Sequence, residues 1–291
     1  MKNLNIFFFC FLQVAKSFIK KIKTEKIPFE LSVTSRNESE IKTFENISYQ
    51  SFNFSEKKFD KNLIKKLEDA DHILVSIAPI NGKDIVVKHF KNKFNSTKYK
   101  WITYLSATSV YGDHNGKWVN EKSETKPTSL SGKERLKAEQ TWIKLFNEYN
   151  LPSQIFRLSG IYSNQHNVLN RLRSGEVKIV DKKNHFFSRI HIEDIANVLY
   201  KSLNTSKKVE VFNISDDKPA SNKEVIMHGV NLLGIKKPQT IKVNDIKSEM
   251  LKKFYRDSKR VNNKKMKKFF KLKLKFPTYV EGLNYINNNS I

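Results

Sequence analysis

The stretch Ile6-Phe7-Phe8-Phe9-Cys10-Phe11-Leu12-Gln13-Val14-Ala15 decides the fold. Four consecutive apolar residues, Ile6 to Phe9, have the pattern of a strand buried on both faces of a parallel sheet. The spacing then changes. Val14, Ala15, Phe18, Ile19 and Ile22 recur at helical intervals, with Lys16, Lys20, Lys21 and Lys23 largely on the opposite side. A buried strand that turns directly into an amphipathic helix is the first half of a β-α-β unit.

The chain repeats this alternation. Phe29 to Thr34, Ser48 to Phe52, His72 to Ala78, Trp101 to Leu105 and Ser153 to Leu158 read as further strands. Glu38 to Phe44, Leu63 to Leu67, Asp84 to Phe94 and Ser131 to Tyr149 read as helices. The pattern predicts an α/β fold, a doubly wound parallel sheet of Rossmann type whose ligands lie at the carboxyl ends of the strands. After Gly160 the elements shorten: helices over Val168 to Arg173, Asp194 to Leu203 and Lys223 to Leu233, strands over Lys178 to Val180 and Val209 to Ile214. Residues 1–160 are therefore expected to form a dinucleotide-binding domain. Residues 161–291 are expected to form a smaller substrate-side lobe, interleaved with the sheet.

Composition narrows the functional classes. The chain has 291 residues and 21 Phe, enough for a full core. Its net charge of +25 suggests a polyanion partner, but the bases are overwhelmingly Lys and are spread along the whole chain. Nucleic-acid interfaces favour Arg, so a solvated lysine-rich surface is expected rather than a nucleic-acid site. Cys10 is the single cysteine, which excludes an intrachain disulfide and a cysteine metal cluster and favours a reducing compartment. Met1 to Ala15 resembles a short signal peptide, yet Ile6 to Leu12 is too short to cross a bilayer and leads into the amphipathic pattern the fold needs. A cytoplasmic protein without a membrane partner is expected. No His/Asp/Glu spacing indicates a metal.

A dinucleotide fold needs glycines where the first strand turns into the first helix, so that the backbone can approach a pyrophosphate at the helix N-terminus. Here the spacing of G-x-G-x-x-G/A falls on Cys10, Leu12 and Ala15, with Gln13 and Val14 between the last two. Ala15 is acceptable. Leu12 sets a bulky side chain where phosphate would lie, and either substitution is strained if its position requires positive φ. At the end of the second strand, Thr34-Ser35-Arg36-Asn37 has no carboxylate for a ribose hydroxyl. A hydroxyl followed by Arg suits a 2′-phosphate, so NADP is favoured slightly over NAD.

Tyr104-Leu105-Ser106-Ala107-Thr108-Ser109-Val110-Tyr111-Gly112-Asp113 is a strand ending in small hydroxyl residues and then Val-Tyr-Gly. It resembles the extended short-chain dehydrogenase/reductases, the superfamily of NAD-dependent epimerases and dehydratases. Arg157-Leu158-Ser159-Gly160-Ile161-Tyr162, Phe187-Ser188-Arg189-Ile190-His191-Ile192-Glu193-Asp194 and Val211-Phe212-Asn213-Ile214-Ser215-Asp216 resemble later segments of that family. The YeeZ-like subgroup is the most similar. It shares Tyr111-Gly112-Asp113-His114, Trp118-Val119, Phe187 two residues ahead of Arg189, and Lys259-Arg260-Val261-Asn262.

The resemblance implies an NAD(P)-binding fold acting on a small polar metabolite, with a nucleotide-linked sugar as the usual substrate. It also implies a catalytic Tyr, a Lys four residues later and an orienting Ser or Thr. With Ala138-Glu139 anchoring the register, the Lys position is Arg135, the Tyr position Ser131 and the Ser position Ala107. All three standard roles are altered, because guanidinium is no base and a serine hydroxyl is a poor proton donor beside phenol. The candidates to substitute are Ser106, Thr108 and Tyr111. Ser76, Ala78, Arg135 and Ser159 join the expected cofactor contacts, and Arg157, Arg189 and His191 are candidates for an anionic substrate. Related folds often dimerise through a helix pair, so a homodimer is expected. The alternatives are a catalytically silent dinucleotide binder or sensor and, more weakly, polyanion binding through lysines.

Overall fold

The computed structural model describes residues 3–95, 98–205 and 209–289. Met1 and Lys2, at the head of the segment that resembles a signal peptide, lie outside the described residues. The first elements are β1 (Leu4–Phe9), α1 (Gln13–Thr24), β2 (Phe29–Ser35), β3 (Glu40–Phe44), β4 (Ile47–Asn53), α2 (Asn62–Asp69), β5 (His72–Val75), α3 (Ile85–Phe90) and β6 (Trp101–Ala107). They are followed by β7 (Trp118–Val119), α4 (Leu130–Glu148), β8 (Ser153–Leu158), β9 (Gly160–Tyr162), α5 (Val168–Arg173), β10 (Ile179–Asp181), β11 (Arg189–His191), α6 (Ile192–Ser202) and β12 (Glu210–Ile214). The last are α7 (Asn222–Leu233), β13 (Thr240–Lys242), α8 (Glu249–Arg256), β14 (Arg260–Val261), α9 (Lys264–Phe270) and α10 (Tyr279–Asn288).

The eight-stranded sheet has the order β12-β8-β6-β5-β1-β2-β4-β3. The pairs β1–β2, β1–β5, β2–β4 and β5–β6 are parallel, so the fold is the mostly parallel α/β type expected. Successive side chains of a strand point to opposite faces. Phe7 and Phe9 accordingly join a core with Phe52, Ile73, Val75 and Phe90, while Phe8 stacks on Phe18 of α1 at 5.8 Å between centroids. Strand order reverses beside β1, where β2 lies on one side and β5 on the other. That is the point at which a doubly wound sheet opens a ligand crevice at its carboxyl edge.

One expected element changes type. The segment read as a helix from Glu38 to Phe44 holds β3, which pairs antiparallel with β4. The connecting Glu45 and Asn46 have φ of 48° and 61°, the left-handed pair that two-residue hairpins use. Ile41 and Thr43 are β-branched, and the Phe44 ring meets Phe11 edge-on at 5.6 Å. Tertiary packing of one aromatic outweighs a short helical periodicity. A smaller difference concerns α3. It starts where Asp84 Oδ1 accepts from the Val86 and Val87 amides at 2.9 and 3.0 Å, and it ends at Phe90, before a 3₁₀ turn over Lys91–Lys93.

The chain divides into two compact units that are not consecutive halves. The first comprises Met1–Ala107, Lys133–Arg157 and Ile195–Phe212, and the second Thr108–Gly132, Leu158–Asp194 and Asn213–Ile291. In the second unit, β9 pairs parallel with β11 and β7 with β14. Helix α7 opens with a capping box, Ser221 with Glu224, and closes on Gly234 in the left-handed conformation. Among the described residues no helix is long and apolar enough to cross a membrane.

Candidate functional site

In the first unit, the turn from β1 into α1 lies at the topological switch of the sheet. Cys10 there has φ of +80°, a conformation L side chains rarely adopt. Two hydroxyl groups hold it. Thr34 Oγ1 accepts from the Cys10 amide at 3.0 Å, and Ser76 Oγ lies 3.0 Å from the Phe9 carbonyl and 3.2 Å from that of Cys10, to which it donates. Burial pushes the Cys10 thiol up from its ordinary value, opposed by the neighbouring Ser76 hydroxyl, the Leu12 amide and the positive charge of Arg36. The backbone thus keeps the turn that a first glycine would adopt.

Leu12 occupies the N-cap of α1 in extended conformation, with no side-chain hydrogen bond to the first turn, and is 67% exposed. The amide groups that start α1 therefore have no side-chain acceptor, and the first turn has no acidic residue. Gln13 is exposed, whereas Val14 and Ala15 are buried, Ala15 supplying the small residue where helix meets strand. Arg36 is exposed just past β2, and Ser35 Oγ accepts from the Asn37 amide at 3.2 Å. Ala78 is exposed two residues beyond Ser76. A positive-φ turn, uncapped helix amides and a nearby guanidinium fit the pyrophosphate of a dinucleotide. Leu12 is the one misfit, adding apolar bulk at the rim.

The hydroxyl residues of the β6 segment have separate tasks. Ser106 is buried and donates to Glu139 Oε2 at 2.7 Å. The same Glu139 carboxylate forms a buried ion pair with Arg157, whose Nε donates to Oε1 at 3.1 Å. Arg157, expected to bind an anionic substrate, is only 5% exposed and is committed to this pair, which ties α4 to β8. Arg135, one turn earlier on α4, donates from Nη1 to the Leu105 carbonyl at 2.9 Å. Ser131 is exposed at the start of the same helix.

In the second unit, Tyr111 is fully buried and its hydroxyl donates to Asn213 Oδ1 at 2.7 Å. The structure thus gives Tyr111, a candidate for proton transfer, a buried place tied to Asn213. Thr108 opens the 3₁₀ turn over Thr108–Tyr111 and is half-buried. Ser159 is 4% exposed; its amide bonds the Ile214 carbonyl, and its hydroxyl has no partner among the described residues. His191 is also fully buried, between Tyr162 and Phe276 at 5.0 and 4.2 Å. Burial holds its imidazole down to about 4.

Arg189 does face a cavity. This pocket of about 670 Å³ lies wholly in the second unit, with Tyr162, Arg171, Lys178, Phe187, Arg189 and Phe254 among its lining. Gly160 lets the Phe187 ring lie directly against the backbone, since a Cβ there would strike the ring. Arg189 Nη1 donates to the Phe187 and Ala220 carbonyls at 2.9 and 3.3 Å, and Nη2 reaches Asn222 Oδ1 at 3.4 Å. A guanidinium has five N–H groups, so part of its fork stays available to the cavity. One wall is aromatic, with Phe187 and Phe254 centroids 4.4 Å apart. Another is cationic, through Arg171, Lys178 and Arg189, against the single carboxylate of Glu176. Such a cavity suits an anionic ligand with an apolar or aromatic part. Sequence reasoning found Arg189 but missed Phe254, Lys178 and Asp216. The last lies in the Val211-to-Asp216 segment, and its amide donates to the Arg189 carbonyl at 2.7 Å, a contact that no sequence spacing marks.

The chain matches no protein-family profile and no curated protein. Among solved structures, it is similar to a conserved protein of unknown function from Silicibacter pomeroyi DSS, with 28% identity over 100% of this chain and 99% of that one and a TM-score of 0.85. It also matches a UDP-glucuronic acid 4-epimerase from Bacillus cereus in complex with NAD (14% identity, 99% and 96% coverage, TM-score 0.76). A third match is a dTDP-glucose 4,6-dehydratase from Bacillus anthracis str. Ames in complex with NAD (16% identity, 99% and 96% coverage, TM-score 0.76). These likenesses establish a fold shared with nucleotide-sugar epimerases and dehydratases.

Proposed function

We propose that the chain is an NAD(P)-binding protein of the extended short-chain dehydrogenase/reductase type, YeeZ-like, that takes a small anionic metabolite in the cavity of its second unit. The carrying observation is Cys10 at positive φ. A strained backbone held by two hydroxyl groups at the sheet's switch point persists only where the surrounding structure over-determines it, and such strain clusters at ligand sites. The Leu12, Gln13 and Val14 amides would face the pyrophosphate, and Arg36 would meet the adenosine ribose, favouring a 2′-phosphate and hence NADP. A bound nicotinamide supplies a hydride acceptor or donor. In the cavity, the open side of Arg189 with Lys178 and Arg171 would hold an anionic group, and Phe187 and Phe254 an apolar or aromatic one. A nucleotide-linked sugar has both parts.

Titration of the purified protein with NADPH and NADH tests the cofactor assignment, with binding of both expected and NADPH the tighter. Arg36→Glu is expected to weaken NADPH at least tenfold while leaving NADH within about twofold, a ratio in the range of one lost charge-assisted contact. Absence of binding at millimolar concentrations would sink the assignment.

A second reading, dinucleotide binding without turnover, is favoured by the α4 residues. Ser131 at the Tyr position is exposed and Arg135 at the Lys position donates to the Leu105 carbonyl, and neither offers a phenol or an amine. Turnover of any nucleotide-linked sugar in epimerase, dehydratase or reductase assays rejects it.

A further inference from the structure

Arg189, Tyr162 and Tyr279 of the cavity lining share an electrostatic neighbour, Asp216, which is 1% exposed. Neither of its carboxylate oxygens meets a partner in good hydrogen-bond geometry among the described residues, although the Lys218 and Arg189 amides favour its charged form. Leaving such a group unpaired in a protein interior is costly, and a reason is needed for it. Its backbone places it: the Asp216 amide donates to the Arg189 carbonyl at 2.7 Å, and the Ser215 hydroxyl lies 3.3 Å from that oxygen. Arg189, from β11, is the principal positive charge acting on Asp216, and Asp216 is the principal negative charge acting on Arg189. The other titratable groups facing it are the Tyr162 hydroxyl from β9 and the Tyr279 hydroxyl from α10. On its own segment, Asp217 adds a repelling charge but is itself engaged by Lys267 of α9 and by Asn263 Nδ2, at 2.8 and 2.7 Å. Burial, with a smaller push from Asp217, drives the Asp216 carboxyl well above the ordinary carboxylate range, against the pull of the Arg189 charge and of the Lys218 and Arg189 amides.

We propose that Asp216 sets the charge of the ligand this cavity accepts: an anionic group bound to the open side of Arg189 replaces Asp216 as its counter-ion, and Asp216 takes up one proton from solvent. The inference rests on the reading of the cavity as an anion-binding site. With Asp216 ionised, its charge offsets that of Arg189 and the attraction for an anion is weakened. With Asp216 protonated, Arg189 presents its full charge and an anion is taken. The proton adds to a carboxylate oxygen and no bond in the ligand is altered.

The test uses the full chain and two probes that do not themselves titrate between pH 6 and 8, sulfate and UDP-glucose. The infrared C=O stretch of a protonated carboxyl, taken as wild type minus Asp216→Asn, reports the protonation of Asp216 directly. Either probe is expected to increase this band at fixed pH. Wild-type affinity should fall about tenfold per pH unit above the Asp216 midpoint, as uptake of one proton requires, and Asp216→Asn should bind both probes with no such slope. A band unchanged by both probes at saturating or molar concentration overturns the proposal, as does an Asp216→Asn variant with the wild-type slope. Dinucleotide titration is independent of this readout. Proton uptake without dinucleotide binding keeps this inference and removes the cofactor assignment, and the reverse result does the opposite.

Discussion

Cys10 carries a backbone conformation that costs a non-glycine residue about 1–3 kcal/mol, and the Thr34 and Ser76 hydroxyl groups hold it there. Cys10→Gly is expected to relieve that strain and clear side-chain volume from the turn, tightening dinucleotide binding several-fold. Cys10→Val, β-branched at positive φ, is expected to weaken binding and lower stability by about 1–3 kcal/mol in denaturant unfolding. If Cys10→Gly binds no tighter, the turn is not a phosphate loop. The sequence showed that none of the three fingerprint positions is glycine and that Ala15 alone is acceptable as it stands. It could not show whether the turn survives their loss, because φ depends on the two hydroxyl groups that arrive from β2 and from beyond β5.

The elements of the first unit are joined by a buried triad, Ser106 from β6, Glu139 from α4 and Arg157 from β8. The legible part of this was Arg157 as a charged residue at a strand end. Its partner was not legible, since Glu139 lies 18 residues away on a helix and only packing brings the two together. Removing one charge of a buried pair strands the other in a low-dielectric interior. Glu139→Gln is therefore expected to cost about 3–5 kcal/mol in denaturant unfolding, whereas the double variant Glu139→Leu with Arg157→Met should recover most of that loss. A Glu139→Gln variant within about 0.5 kcal/mol of wild type would show that solvent screens the pair. Hairpin β3–β4 teaches the same lesson. Seven residues of mixed pattern are decided by Phe44 against Phe11 and by two left-handed turn residues, not by intrinsic preference.

For the whole molecule, acid sensitivity follows from two buried imidazoles, His185 and His191, both held down to about 4 by burial. Each is near 6.5 when unfolded, so the native state binds fewer protons than the unfolded one over that interval. Their contribution is present above pH 6.5 and is lost as pH falls toward 4, about 3 kcal/mol for each residue once both states are below their midpoints. The melting temperature is expected to drop steeply from pH 6.5 to 4, and His191→Phe, which keeps the aromatic contacts with Tyr162 and Phe276, should flatten part of that drop. An unchanged profile in His191→Phe would assign the acid sensitivity to other groups.

The sequence by itself determined the doubly wound sheet, because strand runs buried on both faces and amphipathic helices leave few other ways to cover their apolar surface. Only the tertiary structure decided where the candidate residues lie. Arg157, His191 and Tyr111 are buried, Arg189 lines a cavity, and the amide of buried Asp216 bonds the Arg189 carbonyl. The physical reason is that the burial and pairing of a polar side chain depend on neighbours distant in sequence, whereas hydrophobic periodicity is local.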